Sequence, residues 1–386
     1  MKLPGQLPIY LDHHSTTPVD PRVAAVVMEV MTYAYGNANS VEHLYGELAA
    51  ELLYGARCDV ARLVGAAPEG VCFTSGSTQG ISLALFHAVA SCKHRPLRVA
   101  LSTVEHRAVM DAIKLYEQQG EVVVCWLPVD GQARLEMSEL RRACQDGVDL
   151  VCVMAANNEV GTIYPVGEIV AVANAAGSQT LVDATQAVGR IPMVSDEWGI
   201  TYLAVSAHKI YGPKGVGALI APRGFEGWLM DQSGHSAAQG TPNVPGIVGL
   251  GKACRLRQVE MSSDEPRMAN QRDRLEEMLL DGIDGLVVNG DRSHRLSNNL
   301  HVSVPGVPND AVIARLRRLV ALSSGAACSS ASQSPSHVLR AMGLSETLQE
   351  GALRIGTGKF TTNKQIELAG RFIVDAVSDT RTALRG

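Results

Sequence analysis

The chain has 386 residues, of which 46% are hydrophobic, 19% charged and 4% aromatic, with a formal net charge of −5. That length suffices for two domains with a large core. The mild acidity, without a basic stripe of interleaved aromatics, excludes an electrostatic nucleic-acid binder, and no stretch approaches the roughly 20 apolar residues of a membrane helix.

From the amino terminus there is no apolar signal region, so a cytoplasmic protein is expected. Residues 42–64 keep Leu44, Leu48, Leu52, Ala56 and Leu63 on one face and read as a helix. A strand near 70–74 runs through Thr74-Ser75-Gly76-Ser77-Thr78 into a helical pattern at Ile81, Leu83, Ala84 and Leu85. Hydroxyls and small residues at such a junction present free N–H groups and a helix dipole to an anion, though they are also ordinary capping residues. After a strand at 97–101 comes His106, in the first turn of an expected helix, where an imidazole can stack on a ring and move protons. Strands near 121–127 and 149–154 follow, the second leading to the amides Asn157 and Asn158, which suit either a turn or a bond to a phenolic oxygen or carboxylate.

The next strand, 179–183, ends in Asp183 and precedes Gln186. An aspartate there can cap a helix or keep a pyridine nitrogen protonated. The strand at 202–205 opens Ser206-Ala207-His208-Lys209-Ile210-Tyr211-Gly212-Pro213-Lys214-Gly215. A lysine fixed just past a buried strand, between a hydroxyl and an imidazole, suits Schiff-base chemistry. Phosphate cradle, ring acid, stacking imidazole, amides and lysine together describe a pyridoxal 5'-phosphate site. Together with a strand at 216–221 these strands alternate with helical patterns, which implies an α/β fold with a mostly parallel, doubly wound sheet; the candidates fall at strand carboxyl ends, where such sheets bind ligands.

Residues 243–280 read as mostly helical and bridge to a smaller α/β unit with a strand at 299–304 and a helix at 310–319. There Ser323-Ser324-Gly325-Ala326-Ala327-Cys328-Ser329-Ser330 surrounds one cysteine with small polar residues before a helix at 337–342. Such a setting lets a thiol be exposed and move, as a nucleophile must. Arg354, on a short strand, offers the guanidinium fork that captures an amino acid carboxylate. The other seven cysteines (Cys58, Cys72, Cys92, Cys125, Cys144, Cys152 and Cys254) form no CxxC pair and read as reduced packing thiols, so neither zinc nor a disulfide framework is expected.

These segments, in this order and from Ile9-Tyr10-Leu11-Asp12-His13-His14-Ser15-Thr16-Thr17-Pro18 to Phe360-Thr361-Thr362, resemble the cysteine desulfurases of the aminotransferase class V group, most narrowly the nitrogen-fixation and housekeeping iron–sulfur type. The resemblance implies fold type I of the pyridoxal-phosphate transferases. It implies an amino-terminal segment at 1–16 beside the small domain, a large cofactor-binding domain at 17–250 and a small domain at 251–386. By position it makes Lys209 the Schiff-base lysine and His106 the stacking acid/base, with Asp183 on the ring nitrogen and Asn158 and Gln186 near the phenolic oxygen. Ser77, Thr78, Ser206 and His208 take the phosphate, Arg354 and Asn37 hold the substrate, and Cys328 receives the sulfur. The implied reaction converts L-cysteine to L-alanine, with a persulfide on Cys328 passed to an acceptor protein for iron–sulfur assembly, tRNA thiolation or DNA phosphorothioation.

Two departures stand out. The family's Arg-Ser-Gly-Thr reads Ala238-Gln239-Gly240-Thr241 here, in a shortened segment between 222 and 241. Thr241 keeps the place of the residue that reaches the phosphate of the other subunit, so a homodimer is expected. The chain also stops at Gly386 without the tail that housekeeping members use to dock their scaffold protein. A selenocysteine lyase, cysteine-sulfoxide lyase or aminotransferase of the same fold would keep Lys209 and Asp183 but need no Cys328, and a scaffold subunit of a sulfur-transfer complex would need none of them.

Overall fold

The computed structural model describes residues 7–94, 96–233, 240–324 and 336–385, so Ala238 and Cys328 lie outside the described residues. Its strands are β1 (Ile9–Tyr10), β2 (Val71–Thr74), β3 (Leu97–Ser102), β4 (Val122–Leu127), β5 (Leu150–Met154), β6 (Gln179–Asp183), β7 (Tyr202–Ser206), β8 (Gly217–Ile220), β9 (Val287–Val288), β10 (Asn299–Ser303), β11 (Val320–Ala321) and β12 (Ala352–Gly356). Seven of them form one sheet in the order β2-β8-β7-β6-β5-β3-β4. Strands β7, β6, β5, β3 and β4 run parallel, and β8 is antiparallel to both of its neighbours. The expected α/β class with a mostly parallel sheet is the one observed.

The strands read as continuous apolar runs because both faces of the sheet are covered. Val151, Val153, Val182, Leu203 and Val205 join the core on one face. Leu150, Cys152, Leu181, Tyr202 and Ala204, the alternate positions, join the core on the other. Chain order reverses between β3 and β5, which makes that junction the switch point where a ligand crevice opens.

The helix expected at 42–64 is Leu44–Val64; the His43 ring accepts the Gly46 N–H at 3.2 Å and so begins it two residues late, and Gly65 ends it at φ +62°. The helix Val244–Gly282, capped by the Asn243 side chain, packs on Pro21–Tyr33 and Leu44–Val64 and then on the last helix, Asn363–Arg385. It therefore crosses residue 250 unbroken and belongs to both parts of the molecule. Its far half shares a third core with the antiparallel sheet β12-β10-β9, built from Leu275, Leu279, Leu300, Val302, Leu353 and Ile355 among others. The first described strand, β1, pairs with β11, and Asp12 bridges Gly356 at the end of β12. No helix among the described residues is long and apolar enough to cross a membrane.

Gly217 shows how tightly the large sheet holds the turn after β2. A Cβ there would lie 2.4 Å from the Val205 carbonyl oxygen and 2.7 Å from the Gly76 Cα, and backbone cannot swing aside as a side chain can. Gly217→Ala is expected to destabilise the chain by the overpacking cost of about 1–3 kcal/mol, read as a lower urea midpoint. An unchanged midpoint would show that the strands part freely.

Candidate active site

The lysine turn is built by close packing. Strand β7 passes into a short turn, Ala207–Lys209, and the chain doubles back so tightly that a Cβ on Gly212 would lie 2.9 Å from both the Cβ and the oxygen of Ala207. Tyr211 adopts a left-handed φ of +66°, an uncommon conformation for a bulky residue. The amino-terminal segment holds this turn from outside. Thr17 donates both its N–H (2.9 Å) and its hydroxyl (3.0 Å) to the His208 carbonyl, and its hydroxyl oxygen accepts the Tyr211 N–H at 2.9 Å. Lys209 Nζ donates to the carbonyls of His14 and Ser15, the latter at 2.9 Å.

Above that amine lies a cavity of about 310 Å³, within the range of small-molecule sites. Ser77 and Thr78, the first residues of the helix Ser77–Ser91, line one end, where the helix leaves its first N–H groups unpaired. Ser206 is buried beside them: a Cβ on Gly76 would lie 3.8 Å from its hydroxyl. His208 completes this end, bonded through Nδ1 to Thr16 Oγ1 at 3.0 Å. Burial, and then the charges of Lys209 and Lys214, push its imidazole down to about 4.

At the floor, Asp183 Oδ1 accepts the backbone and hydroxyl donors of Thr185, while Oδ2 has no hydrogen bond among the described residues. His106 stands one position before the expected helix turn. It is the cap of Arg107–Gln118, because its Nδ1 accepts the otherwise unpaired Ala108 N–H at 3.1 Å. That bond leaves the ring proton on Nε2 in the neutral form. Asn158 lines the cleft, whereas Asn157 is buried in the turn itself, its Oδ1 accepting the N–H groups of Glu159 and Val160.

Arg354 closes the opposite side from β12. Its Nη1 donates to the Asn158 carbonyl at 3.2 Å, and its Nη2 to Asp12 Oδ1 (3.2 Å) and Ser15 Oγ (2.8 Å). Its buried Nε has no partner among the described residues, and a buried donor of this kind is rarely left unpaired. A lysine amine, a carboxylate with one oxygen to spare, an anion cradle and a guanidinium lining one cavity of this size fit pyridoxal phosphate with an amino acid.

Not every expected residue lies here. Asn37 and Thr241 are exposed and do not line the cavity, and Cys328 lies outside the described residues. Conversely, His14, Ser15 and Thr185 line the cavity although residue types alone assigned them no role. His14 is buried and held neutral, chiefly by desolvation and then by Arg354; Gln186 clasps it by donating to its carbonyl at 3.0 Å. The signal was present in the run of paired histidines and hydroxyls at 13–17, but its target is remote in sequence.

The aminotransferase class-V family model matches residues 9–368. The cysteine desulfurase IscS of Anaeromyxobacter sp. (strain Fw109-5) is 40% identical over 97% of this chain and 94% of its own length. The mitochondrial cysteine desulfurase of Arabidopsis thaliana is 37% identical over 97% of this chain and 83% of its own. A solved NifS-like protein superposes with a TM-score of 0.87 at 30% identity, covering 97% of this chain and all of that one.

Beside Asp183 a second acid is buried. Glu105 Oε1 accepts the Met154 N–H at 2.8 Å, and burial together with the Asp183 charge pushes its carboxyl well above the usual range. Folding therefore takes up a proton at neutral pH: this site costs nothing below the unfolded pKa and destabilises as pH rises past it. Glu105→Gln is expected to unfold at a higher midpoint than the natural chain at about pH 8, with the gap closing by about pH 4. Thermal melts across that window check it, and a gap that widens towards acid would refute a neutral Glu105.

Proposed function

We infer the reaction from two facts: the chain belongs to the aminotransferase class-V family, among its cysteine desulfurases, and one cavity gathers Lys209, Asp183 and Arg354. The protein converts L-cysteine to L-alanine and passes the sulfur on. The observation that carries this reading is Arg354, whose side chain closes the cavity while its backbone pairs with Ser323, five residues before Cys328.

Pyridoxal phosphate, when bound, supplies the electron sink that makes the carbon–sulfur bond of an amino acid cleavable. Ser77, Thr78, Ser206 and His208 would hold its phosphate, Asp183 would hold the proton on its ring nitrogen, Asn158 and Gln186 would bond its phenolic oxygen, and Lys209 would anchor it. His106, with Nδ1 committed to the helix cap, would face the ring and exchange protons through Nε2. Arg354 takes the substrate carboxylate, which aims the Cα hydrogen at the Lys209 amine. The Cys328 thiol attacks the substrate sulfur; the sulfur–sulfur bond forms as the carbon–sulfur bond breaks, and the carbon skeleton takes up protons to leave as alanine. Cysteine plus thiol gives alanine plus persulfide, so no outside oxidant or reductant enters, and an acceptor protein then removes the terminal sulfur. A reducing cytoplasm suits the seven free thiols among the described residues.

In this reading two copies complete each site. Met28, Met31, Tyr33, Tyr35, Val41 and Leu44 are all exposed within one short stretch, the kind of apolar surface that marks an interface. Asn37 lies in the same stretch, and Val244 and Val248, just after Thr241, pack beneath it on Val30 and Ala34. This face presents Asn37 and Thr241 to a second copy's cavity, where they add contacts to substrate and phosphate.

Brief exposure to cysteine is expected to add one sulfur to the Cys328 peptide by mass spectrometry. Cys328→Ser is expected to keep bound cofactor but lose persulfide and nearly all alanine, since a hydroxyl is a far poorer nucleophile towards sulfur. Full activity in that variant would sink the desulfurase reading in favour of a lyase. The natural chain is expected to scatter light as a dimer, and Val41→Asp with Leu44→Asp to shift it to a monomer that loses cofactor; a natural monomer at full cofactor occupancy would defeat the shared site.

A further inference from the structure

The stretch that carries Cys328 is tied at both ends to the substrate side of the cavity. Upstream, the Ser323 N–H donates to the Arg354 carbonyl at 3.3 Å and the Arg354 N–H to the Ser323 carbonyl at 2.7 Å. Downstream, the described chain resumes at Ser336, whose hydroxyl donates to Glu159 Oε2 at 2.5 Å. The next residue, His337, meets the Glu105 carbonyl through Nε2 at 2.9 Å.

The upstream tie is backbone pairing, but the downstream one depends on a side chain that nothing else in the site explains. Glu159 is buried directly after Asn158, with its N–H on Asn157 Oδ1 and its carbonyl accepting the Asn299 amide at 2.9 Å. Its backbone is thus satisfied without the carboxyl. A buried acid is costly to keep without a partner, and among the described residues this one's carboxyl accepts one hydroxyl, 177 positions away. Burial pushes the carboxyl up to about 7 against the bond from Ser336 and the charges of Arg354, His106 and Arg107. Ser336 itself does two things with one oxygen, since it also accepts the Leu339 N–H at 3.2 Å and caps the helix His337–Ala341.

We propose that Glu159 is a positioning residue for sulfur transfer: by accepting the Ser336 hydroxyl it fixes the downstream end of the Cys328 stretch against the Asn158 side of the cavity. The inference rests on the desulfurase reading and extends it to a residue that touches neither substrate nor cofactor. It separates thiol attack, which the tie serves, from binding and carbon chemistry, which it does not.

The test uses the cofactor-loaded full chain with two substrates. L-Cysteine needs attack by Cys328; L-selenocysteine, with a weaker carbon–selenium bond, can lose its heteroatom without it. Ser336→Asp keeps an oxygen to cap the helix but sets carboxylate against carboxylate. It is expected to lower kcat on cysteine about tenfold or more, with KM and selenocysteine turnover within about twofold. Adding Glu159→Gln lets an amide donate to the new aspartate, and the double variant is expected to return to within about threefold of the natural chain. Equal losses on both substrates, no loss on cysteine, or no recovery in the double variant would each overturn the inference. Should Ser336→Asp fail to fold, Ser336→Thr and Ser336→Ala carry the comparison: threonine keeps the hydroxyl and the cysteine rate, alanine loses it, and equal rates overturn the tie. A natural chain that makes no alanine from cysteine would instead overturn the underlying reaction, a result distinct from an active chain indifferent to Ser336.

Discussion

Ser15 holds the two charged ends of the site together. Its carbonyl accepts Lys209 Nζ and its hydroxyl accepts Arg354 Nη2, so one residue sets the spacing between the amine and the guanidinium. The lysine follows a strand of the seven-stranded sheet and the arginine sits in the three-stranded one, and those sheets share no strand. An α-amino acid carries its nitrogen and carboxylate on one carbon, so a site for it must fix two such groups at short range. The segment 12–20 does this by bonding to both sides, through side chains from Asp12 to Arg354 and Asp20 to Lys359, and through backbone groups from Asp12 to Gly356, Thr17 to His208 and Asp20 to Tyr211.

Burial then decides which groups in the cleft carry charge. His14 and His208 are both pushed below the ordinary imidazole range, and His13 behind them falls to about 4. These imidazoles serve near neutrality as hydrogen-bond partners rather than cations. Glu105 is pushed the opposite way, by burial and then by the charge of Asp183, and gives up its own charge. The positive field offered to an anionic ligand therefore comes from lysine, arginine and a helix terminus rather than from the imidazoles.

Much of this was legible in the sequence because it depends on local order. Apolar runs covered on both faces marked the strands, and polar residues just past their ends marked Ser77, His106, Asn158, Asp183 and Lys209, which the switch-point topology then brings together. What was not legible depends on pairings remote along the chain. His14 meets Gln186 172 positions away, Lys209 meets Ser15 194 away and Glu159 meets Ser336 177 away. No periodicity records such contacts. Asn157 and Asn158 looked equivalent as neighbouring amides, but the turn consumes one and frees the other, a choice made by backbone geometry. Asn37 and Thr241 could be placed by likeness to relatives but not by this chain's own cavity, because they sit on an outer apolar face.

The tie between Ser323 and Arg354 also limits how sulfur can leave. Cys328 lies five positions after Ser323, and at about 3.3–3.6 Å per residue its Cα can lie no farther than about 18 Å from that of Ser323. The longer downstream arm, eight residues from Ser336, sets a looser bound, so the upstream one governs. In the proposed reaction a thiol on so short a tether cannot carry sulfur across the protein surface. An acceptor must therefore bring its own receiving group to the mouth of the cleft, and selection among acceptors falls to the surface around that mouth rather than to the reach of Cys328.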